Sequence, residues 1–332
     1  MSEESTRVSQ ADEIESETAF GSDTKDSATT SERTTHTSTR ERVLSQVRSD
    51  SIALIGGTIV VVMVALTVFS IIDEFLLGRR LISLALHDPY ALNPDARLES
   101  PSLTHPLGTD EQGRDMLARL IYGARTSMIV GVVAVSFAAT VGVAIGTITA
   151  YYGSLIDMVG MRAMDVILAF PAILLAISLM AILGRGVENV ILAIGIVYIP
   201  TFARITRSEV LAKKSEEYID AAHVIGYPDR TIMGREILPN CLTPIIVQFT
   251  FSLALAIIAE AALSFLGLGV APPTPTWGLM LSDAQDYMTT AWWYSLFPGV
   301  FIMITVLGFN LLGDSLRDAL DPQQEREARG RI

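Results

Sequence analysis

The sequence holds few side chains that could carry out chemistry. A P-loop that binds ATP needs a lysine directly after a glycine, because loop amides and the ammonium group together hold the phosphates, and none of the three lysines follows a glycine. A single cysteine, Cys241, excludes an intramolecular disulfide. The four histidines are widely spaced, and we expect a solvated or packing role for each: His36, His87, His105 and His223. We therefore predict no catalytic residue, no metal site and no cofactor bound by this chain.

Glu260 is the clearest ionisable residue within an apolar stretch. A carboxylate is costly to place in a membrane helix, so such a residue indicates a functional site by default. The alternative is a structural residue close to the outer membrane interface, with its carboxylate hydrogen-bonded to the backbone. Both interpretations are open from the sequence.

The composition indicates an all-α membrane protein. Half of the 332 residues are hydrophobic, only 18% are charged, and the mean hydropathy is +0.43, which is unusual for a soluble domain. A helix needs about 20 apolar residues to cross a bilayer. Six stretches come close to or exceed this length, and we predict about six transmembrane helices: 52–72, 126–156, 166–184, 189–203, 237–259 and 287–313.

The distribution of polar residues sets the domain organisation. Residues 1–45 are rich in Ser, Thr, Asp and Glu and hold few large apolar side chains, so we predict a disordered acidic cytoplasmic tail. Next we expect a first transmembrane helix with an extracytoplasmic segment over 46–125, a core transmembrane domain over 126–316, and a C-terminal tail over 317–332. Arginine and lysine are concentrated before the first span, between the fourth and fifth, and after the sixth. The positive-inside rule then places both termini in the cytoplasm.

The net charge of −12 and the pI of about 4.8 restrict the partners of the chain. Nucleic-acid phosphates need clustered cations, so we predict no binding to nucleic acid. Acidic surfaces are tolerated where salt screens their repulsion, and this favours a halophilic source with a salt-rich cytoplasm.

The longest polar insertion in the second half of the chain is the loop over residues 206–239. Its pattern predicts two helices joined by a tight turn. Gly226 would cap the first helix, Pro228 suits the first turn of the second, and Pro239 would end it. Four apolar residues are expected to share one face of the first helix: Tyr218, Ile219, Ala222 and Ile225. A charged loop with such apolar ridges favours a protein partner.

This loop contains the sequence Tyr-Ile-Asp-Ala-Ala-His-Val-Ile-Gly from Tyr218 to Gly226, followed by Leu-Pro-Asn from Leu238. The spacing resembles the Glu-Ala-Ala coupling loop of ABC importer permeases. The resemblance implies a type I ABC importer transmembrane domain whose loop docks into a groove of a separate ATPase, with ATP and Mg bound by the ATPase subunits. The coupling residues implied are Asp220, Ala221, Ala222, Gly226, Leu238 and Pro239. Asp220 stands where the family has glutamate, which keeps the charge and shortens the side chain by one methylene.

A second motif runs from His105 to Asp115 with the sequence His-Pro-Leu-Gly-Thr-Asp-Glu-Gln-Gly-Arg-Asp. It resembles the C-type subunit of dipeptide and oligopeptide ABC permeases. Thr109 and Gln112 have the spacing of a capping box, so we predict a helix that starts here and lies on the outer membrane surface. The residues of this extracytoplasmic helix motif are Gly108, Thr109, Asp110, Gly113, Arg114 and Asp115. A structural role and a contact with the substrate-delivery machinery are both open for them.

The likeness to peptide permeases extends over about residues 45–322. It implies the permease subunit of an ATP-driven importer in the cell membrane, which forms half of the translocation path for dipeptides or oligopeptides and has no ATPase site of its own. The partners implied are a second homologous permease subunit, two ATPase subunits, an extracytoplasmic substrate-binding protein and membrane lipid. In this setting Glu260 would line the translocation path or contact the partner permease.

Alternative substrates are nickel chelates, sugars and other solutes, because no residue in the sequence selects among them. Alternative classes are also open. A secondary transporter or channel would couple ions through ionisable residues in its spans, and apart from Glu260 the spans nearly lack them. A non-transporting membrane scaffold would not need the spacing of Asp220, Gly226 and Leu238.

Overall fold

The structure is a computed structural model that describes residues 51–320. The predicted tail over 1–45 and residues 321–332 lie outside the described part. Within residues 51–320 all regular structure is helical, apart from one isolated bridge between Thr109 and Asp115. The helices are α1 (Ser51–Phe75), α2 (Arg80–Ala85), α3 (Met116–Tyr152), α4 (Ser154–Leu168), α5 (Ala172–Leu183), α6 (Val187–Lys214), α7 (Glu217–Val224), α8 (Asp229–Thr231), α9 (Leu242–Phe265), α10 (Trp277–Asp283) and α11 (Trp292–Leu320).

Five stretches of helix in this part are long and apolar enough to cross a membrane, and one bent pair adds a sixth if it is counted as a single span. The five are α1, α3, α6, the helical path Asp229–Phe265 and α11. The prediction of an all-α membrane protein with about six spans is confirmed.

The bent pair consists of α4 and α5, which meet at an angle of 89°. Pro171 stands at the corner with an extended backbone, ψ 128°, because a proline ring blocks the continuation of the preceding helix. The predicted span over 166–184 is therefore not a straight helix: it holds the end of α4, the corner and α5. The predicted span over 126–156 is also divided, since α3 ends at Tyr152 and Gly153 separates it from α4.

The contact between α3 and α6 is the most extensive in the described part. Gly142 and Gly146 of α3 form a Gly-x-x-x-Gly pair against α6. A Cβ atom added to Gly142 would lie 2.6 Å from the carbonyl oxygen of Ile199, and one added to Gly146 would lie 2.4 Å from that of Ala203. The two backbones approach this closely because neither glycine has a side chain, and close approach favours van der Waals packing between membrane helices.

Helix α1 packs on α3 and α11 with only part of its surface. Gly308 of α11 leaves room for Ile59, whose Cγ2 would lie 2.5 Å from a Cβ added to that glycine. Many other apolar side chains of α1 are exposed, including Val61 and Ile55. In a membrane protein such a surface is covered by lipid or by another subunit.

Candidate functional site

Helix α7 and the turn after it form the centre of the predicted coupling loop. Ile219 and Ala222 of α7 are buried and hold the helix on the rest of the chain. Gly226 follows with a φ of 86°, and the N–H of Tyr227 donates to the carbonyl oxygen of Ala222 at 3.1 Å. This is the left-handed helix end that glycine favours, so the predicted cap at Gly226 is confirmed.

The outer side of α7 combines apolar side chains with two exposed acids, Glu217 and Asp220. Val224 is 89% exposed and Ile225 is 70% exposed, and the side chains of Tyr218 and Tyr227 are also exposed. Asp220 and Ala221 lie on the same helix and are exposed as well. We call the exposed set Tyr218, Asp220, Val224, Ile225 and Tyr227 the α7 patch. An exposed apolar cluster of this kind marks an interaction surface.

The prediction that four apolar residues share one face of α7 is wrong. Ile219 and Ala222 point inward, whereas Tyr218 and Ile225 point outward. Only Ile219 and Ala222 are therefore covered by their own chain, and the exposed Tyr218 and Ile225 still offer apolar surface to a partner.

The residues around the C-terminal end of α3 hold α7 and α8 in place. The hydroxyl of Tyr151 donates to Oδ1 of Asp229 at 2.8 Å and lies 3.2 Å from Nε2 of His223. The ammonium group of Lys214 donates to the carbonyl oxygen of Tyr151. Four helices, α3, α6, α7 and α8, therefore meet at one residue, Tyr151. The sequence did not reveal this network, because its members are up to 78 positions apart.

Two ion pairs fix the bent pair to α6. The guanidinium group of Arg207 binds both oxygens of Asp157, at 2.6 Å each. Arg204 donates to Oδ1 of Asp165 at 2.7 Å. The two-point geometry of Arg207 restrains orientation as well as distance. It therefore holds α4 to α6 shortly before the chain enters α7.

From α8 the chain continues into the fifth membrane-crossing helix without stopping. A π-helical segment covers Ile232–Ile237, a 3-10 segment covers Leu238–Cys241, and α9 follows directly. The prediction that Pro239 ends the helix is wrong. Pro239 lies at the start of the 3-10 segment, where its missing N–H is tolerated.

Leu238 and its neighbours line a cleft against α3. The cleft has a volume of about 560 Å³ and is lined on the α3 side by Ala139, Val143 and Thr147. Met233 and Leu238 lie on its other side. The lining is largely apolar.

At the other end of α3, the second motif folds around Asp110, which is fully buried. Oδ1 of Asp110 accepts the N–H groups of Gln112 and Arg114, at 2.8 and 2.9 Å. Oδ2 lies 2.6 Å from Nε of Arg114 and 3.4 Å from Nε of Arg119. One carboxylate thus receives both backbone and side-chain donors, which is how a buried charge is stabilised.

Both glycines of the motif have a structural role in this turn. Gly113 has a φ of 73°, and a Cβ atom there would lie 1.7 Å from the carbonyl oxygen of Asn93. The carbonyl oxygen of Gly108 accepts the N–H of Met116 at 3.0 Å. No other residue type fits at Gly113, because both the conformation and the space exclude a side chain.

The predicted capping box is wrong. The hydroxyl of Thr109 donates to the carbonyl oxygen of Ala96 and accepts the N–H of Glu99 at 2.8 Å. Thr109 is therefore engaged by the preceding loop and cannot cap a helix at its own position.

Helix α3 begins later, at Met116, and Asp115 caps it by accepting the N–H of Ala118 at 2.9 Å. Met116 and Leu120, in the first turns of α3, are fully buried. The predicted surface helix is thus the first part of a transmembrane helix.

Helices α10 and α11 cover this motif. The indole N–H of Trp277 donates to the carbonyl oxygen of Leu120 at 3.0 Å, and that of Trp293 donates to the carbonyl oxygen of Thr109 at 3.3 Å. Burial raises the pKa of the Asp283 carboxyl at the end of α10, and the charge of Glu111 adds to this shift. The motif is enclosed by its own chain, which supports a structural role, and its contact with a delivery protein stays a prediction.

Glu260 is fully buried inside the chain. Its Oε2 accepts the hydroxyl hydrogen of Ser127 at 2.8 Å, and its Oε1 accepts that of Ser264 at 2.7 Å. The hydrogen-bond partners are therefore hydroxyl groups, not the backbone groups of the structural alternative. In this conformation the carboxylate joins α9 to α3, and a role in a translocation path stays a prediction.

Comparisons with known proteins agree with this architecture. The family model of the binding-protein-dependent transport system inner membrane component matches residues 142–326. The dipeptide transport system permease protein DppC of Alkalihalophilus pseudofirmus is 44% identical over 281 residues, which cover 84% of this chain and 88% of that protein. The glutathione transport system permease protein GsiD of Escherichia coli (strain UTI89) is 48% identical over 223 residues, covering 67% of this chain and 74% of that protein.

Among solved structures, a chain of the inward-facing methionine ABC transporter MetNI aligns with a TM-score of 0.51. The alignment covers 62% of this chain and 98% of that chain at 17% sequence identity, so it shows a shared fold. The resemblance to ABC importer permeases is confirmed by the family match and the relatives together. The chain belongs to the family of binding-protein-dependent transport system inner membrane components.

Proposed function

We propose that this chain is the permease subunit of an ATP-driven importer and that the α7 patch is its contact with a separate ATPase. The observation that carries the proposal is the exposed apolar surface around Asp220, held on a rigid base by Tyr151, Asp229 and Lys214. A surface that transmits movement has to be exposed to its partner and firmly attached to its own chain. On this proposal two ATPase subunits bind ATP and Mg, and this chain carries no ATPase site.

Dipeptides or oligopeptides are the proposed substrates. Support comes from the relatives, which are described as permeases of dipeptide and glutathione transport systems, and glutathione is itself a small peptide. Nickel chelates, sugars and other solutes are the competing classes. Uptake of a labelled dipeptide by vesicles that contain the complete complex, with excess unlabelled peptide, nickel chelate or sugar as competitor, separates these classes.

A second homologous permease is proposed to complete the translocation path. The apolar cleft of about 560 Å³ between α3 and the segment around Leu238 is open on the protein surface, and the exposed side of α1 offers a further apolar surface for lipid or this partner.

The proposed orientation places the α7 patch on the cytoplasmic side of the membrane, with both termini in the cytoplasm. A substrate-binding protein then delivers its ligand at the opposite, extracytoplasmic end of α3.

We propose that the organism that makes this chain is halophilic, because the chain has a net charge of −12. Repulsion among acidic groups is screened by salt, so thermal stability of the purified chain should rise with salt concentration. A stability maximum at low ionic strength would contradict this proposal.

Charge reversal at Asp220 tests the coupling contact. Asp220→Arg should reduce copurification of the ATPase subunits by at least about tenfold, because a reversed charge at a docking surface is repelled by the partner's complementary charge. Uptake should fall in parallel. Asp95→Arg is the matched control, since Asp95 is also an exposed acid and lies outside the α7 patch. Equal ATPase recovery from the Asp220→Arg and Asp95→Arg complexes would refute the assignment.

A further inference from the structure

Two histidines and one carboxylate meet beside the start of α3. Oδ2 of Asp115 lies 2.9 Å from Nδ1 of His105 and 3.6 Å from Nδ1 of His87. The centroids of the two imidazole rings are 4.4 Å apart. The three side chains can each offer one ligand atom, and these atoms all lie within 4.8 Å of one another.

The two separations from Asp115 are close to those between ligands of one small metal ion. Zinc–nitrogen and zinc–oxygen bonds of about 2.0–2.2 Å in a tetrahedral arrangement place neighbouring ligand atoms about 3.3–3.5 Å apart. The observed 2.9 and 3.6 Å lie on either side of that range. The separation of 3.6 Å between His87 and Asp115 is too long for a hydrogen bond, whereas an ion between the two atoms would contact both.

The surrounding backbone holds two of the three ligands in position. Oδ1 of Asp115 accepts the N–H of Ala118 at 2.9 Å, so Oδ2 stays directed to the histidines. The N–H of His105 donates to the hydroxyl of Ser102 at 3.1 Å, and its carbonyl oxygen accepts the N–H of Gly108 at 2.9 Å. Such outer contacts orient ligands in metal sites.

We propose that His87, His105 and Asp115 bind a divalent transition-metal ion, with zinc as the best match. Two imidazole nitrogens and one carboxylate are donors that zinc accepts, whereas calcium and magnesium prefer oxygen ligands alone. Both Nδ1 atoms bind through their lone pairs when the ring protons are on Nε2, so the ion replaces the hydrogen bond of 2.9 Å between Nδ1 of His105 and Oδ2 of Asp115. The ion links the loop after α2 to the first turn of α3.

The fourth position of this site faces solvent. The side chain of His87 is 51% exposed, whereas those of His105 and Asp115 are nearly or fully buried. The open position therefore holds water, or a donor atom from a molecule that arrives at this surface. Three protein ligands with one open position are typical of zinc sites that exchange a ligand.

Zinc titration of the purified full-length chain in detergent tests the proposal, after a chelator has been used and removed by dialysis. Calorimetry should show one zinc ion bound per chain. Cobalt should bind at the same stoichiometry and give the strong visible absorption bands of a tetrahedral complex. His87→Ala should weaken zinc binding at least about tenfold, because ligand removal costs more than loss of an outer contact.

Two further variants keep the test interpretable. His87→Gln keeps a polar side chain of similar size at this exposed position and should show the same loss of binding with unchanged helical circular dichroism. His36→Ala removes a histidine from the N-terminal acidic segment and should bind zinc as the parent chain does. Absence of stoichiometric zinc binding in the parent chain, or zinc binding by His87→Ala equal to that of the parent, would overturn the proposal.

Discussion

The hydroxyl group of Tyr151 donates a hydrogen bond of 2.8 Å to Asp229, which joins the last turn of α3 to the first residue of α8. The same hydroxyl lies 3.2 Å from His223 of α7. A single oxygen atom therefore connects a membrane-crossing helix to both short helices of the predicted coupling loop.

Removal of this hydroxyl should loosen α7 from α3. We expect Tyr151→Phe to lose about 1 kcal/mol of unfolding free energy, the usual value of one partly buried hydrogen bond. In the assembled transporter, ATP hydrolysis should persist while uptake falls, because the ATPase contact remains and its attachment to α3 is weakened. Tyr152→Phe is the control, since Tyr152 is the exposed neighbour. Similar uptake by both variants would contradict the role given to Tyr151.

The two-point contact of Arg207 with Asp157 should be sensitive to the shape of the cation. Arg207→Lys keeps the charge, but an ammonium group cannot bind both carboxylate oxygens in the same plane. We expect a loss of about 0.5–1 kcal/mol of stability, small because the pair is partly exposed to solvent. Thermal unfolding in detergent measures the effect. Arg162→Lys provides the comparison, because the Arg162 side chain is 80% exposed and should tolerate the change.

Gly226 and Gly234 should respond in opposite ways to alanine. Neither position would bring a new Cβ atom within 4 Å of another residue. Gly226 has a φ of 86°, so Gly226→Ala should cost about 1–2 kcal/mol through backbone strain. Gly234→Ala has no such strain and should leave the unfolding midpoint unchanged or slightly higher. A Gly226→Ala chain as stable as Gly234→Ala would disprove the left-handed conformation of the turn.

Substitutions of Glu260 separate its structural role from a role in transport. Glu260→Ala removes the acceptor for Ser127 and Ser264 and leaves a cavity, so we expect a loss of about 2 kcal/mol or more. Glu260→Gln keeps the shape and can still bond both hydroxyls, because a hydroxyl group donates or accepts. Thermal stability should therefore be nearly retained in Glu260→Gln. If that variant is stable and loses uptake, the carboxylate acts in transport beyond its structural contacts.

Features set by local backbone chemistry could be predicted from the sequence. Gly226 followed by Pro228 gave the correct turn, because the left-handed end of a helix needs little more than its own residues. The number of spans followed from hydropathy alone. The corner at Pro171 was visible as a proline, but hydropathy contains no information on chain direction, so the angle between α4 and α5 could not be predicted.

Features set by distant residues could not be predicted. Thr109 has the spacing of a helix cap, yet Ala96 and Glu99 engage its hydroxyl group, and a local pattern cannot include that competition. His87 and His105 looked unrelated because 18 positions separate them, and only the fold brings both rings to Asp115. Arg207 belongs to the basic cluster between the fourth and fifth spans that indicates topology, whereas its partner Asp157 depends on how α4 packs along α6.

Helix α3 runs for 37 residues from Met116 to Tyr152 and contains no proline. At about 1.5 Å per residue it is a rod of about 55 Å. Its two ends carry the Asp115 and Tyr151 clusters, and its C-terminal half packs closely on α6 at Gly142 and Gly146. An unbroken helix carries a displacement at one end along its axis to the other end. The cluster around Asp115 and the cluster around Tyr151 are therefore connected by a single continuous helix.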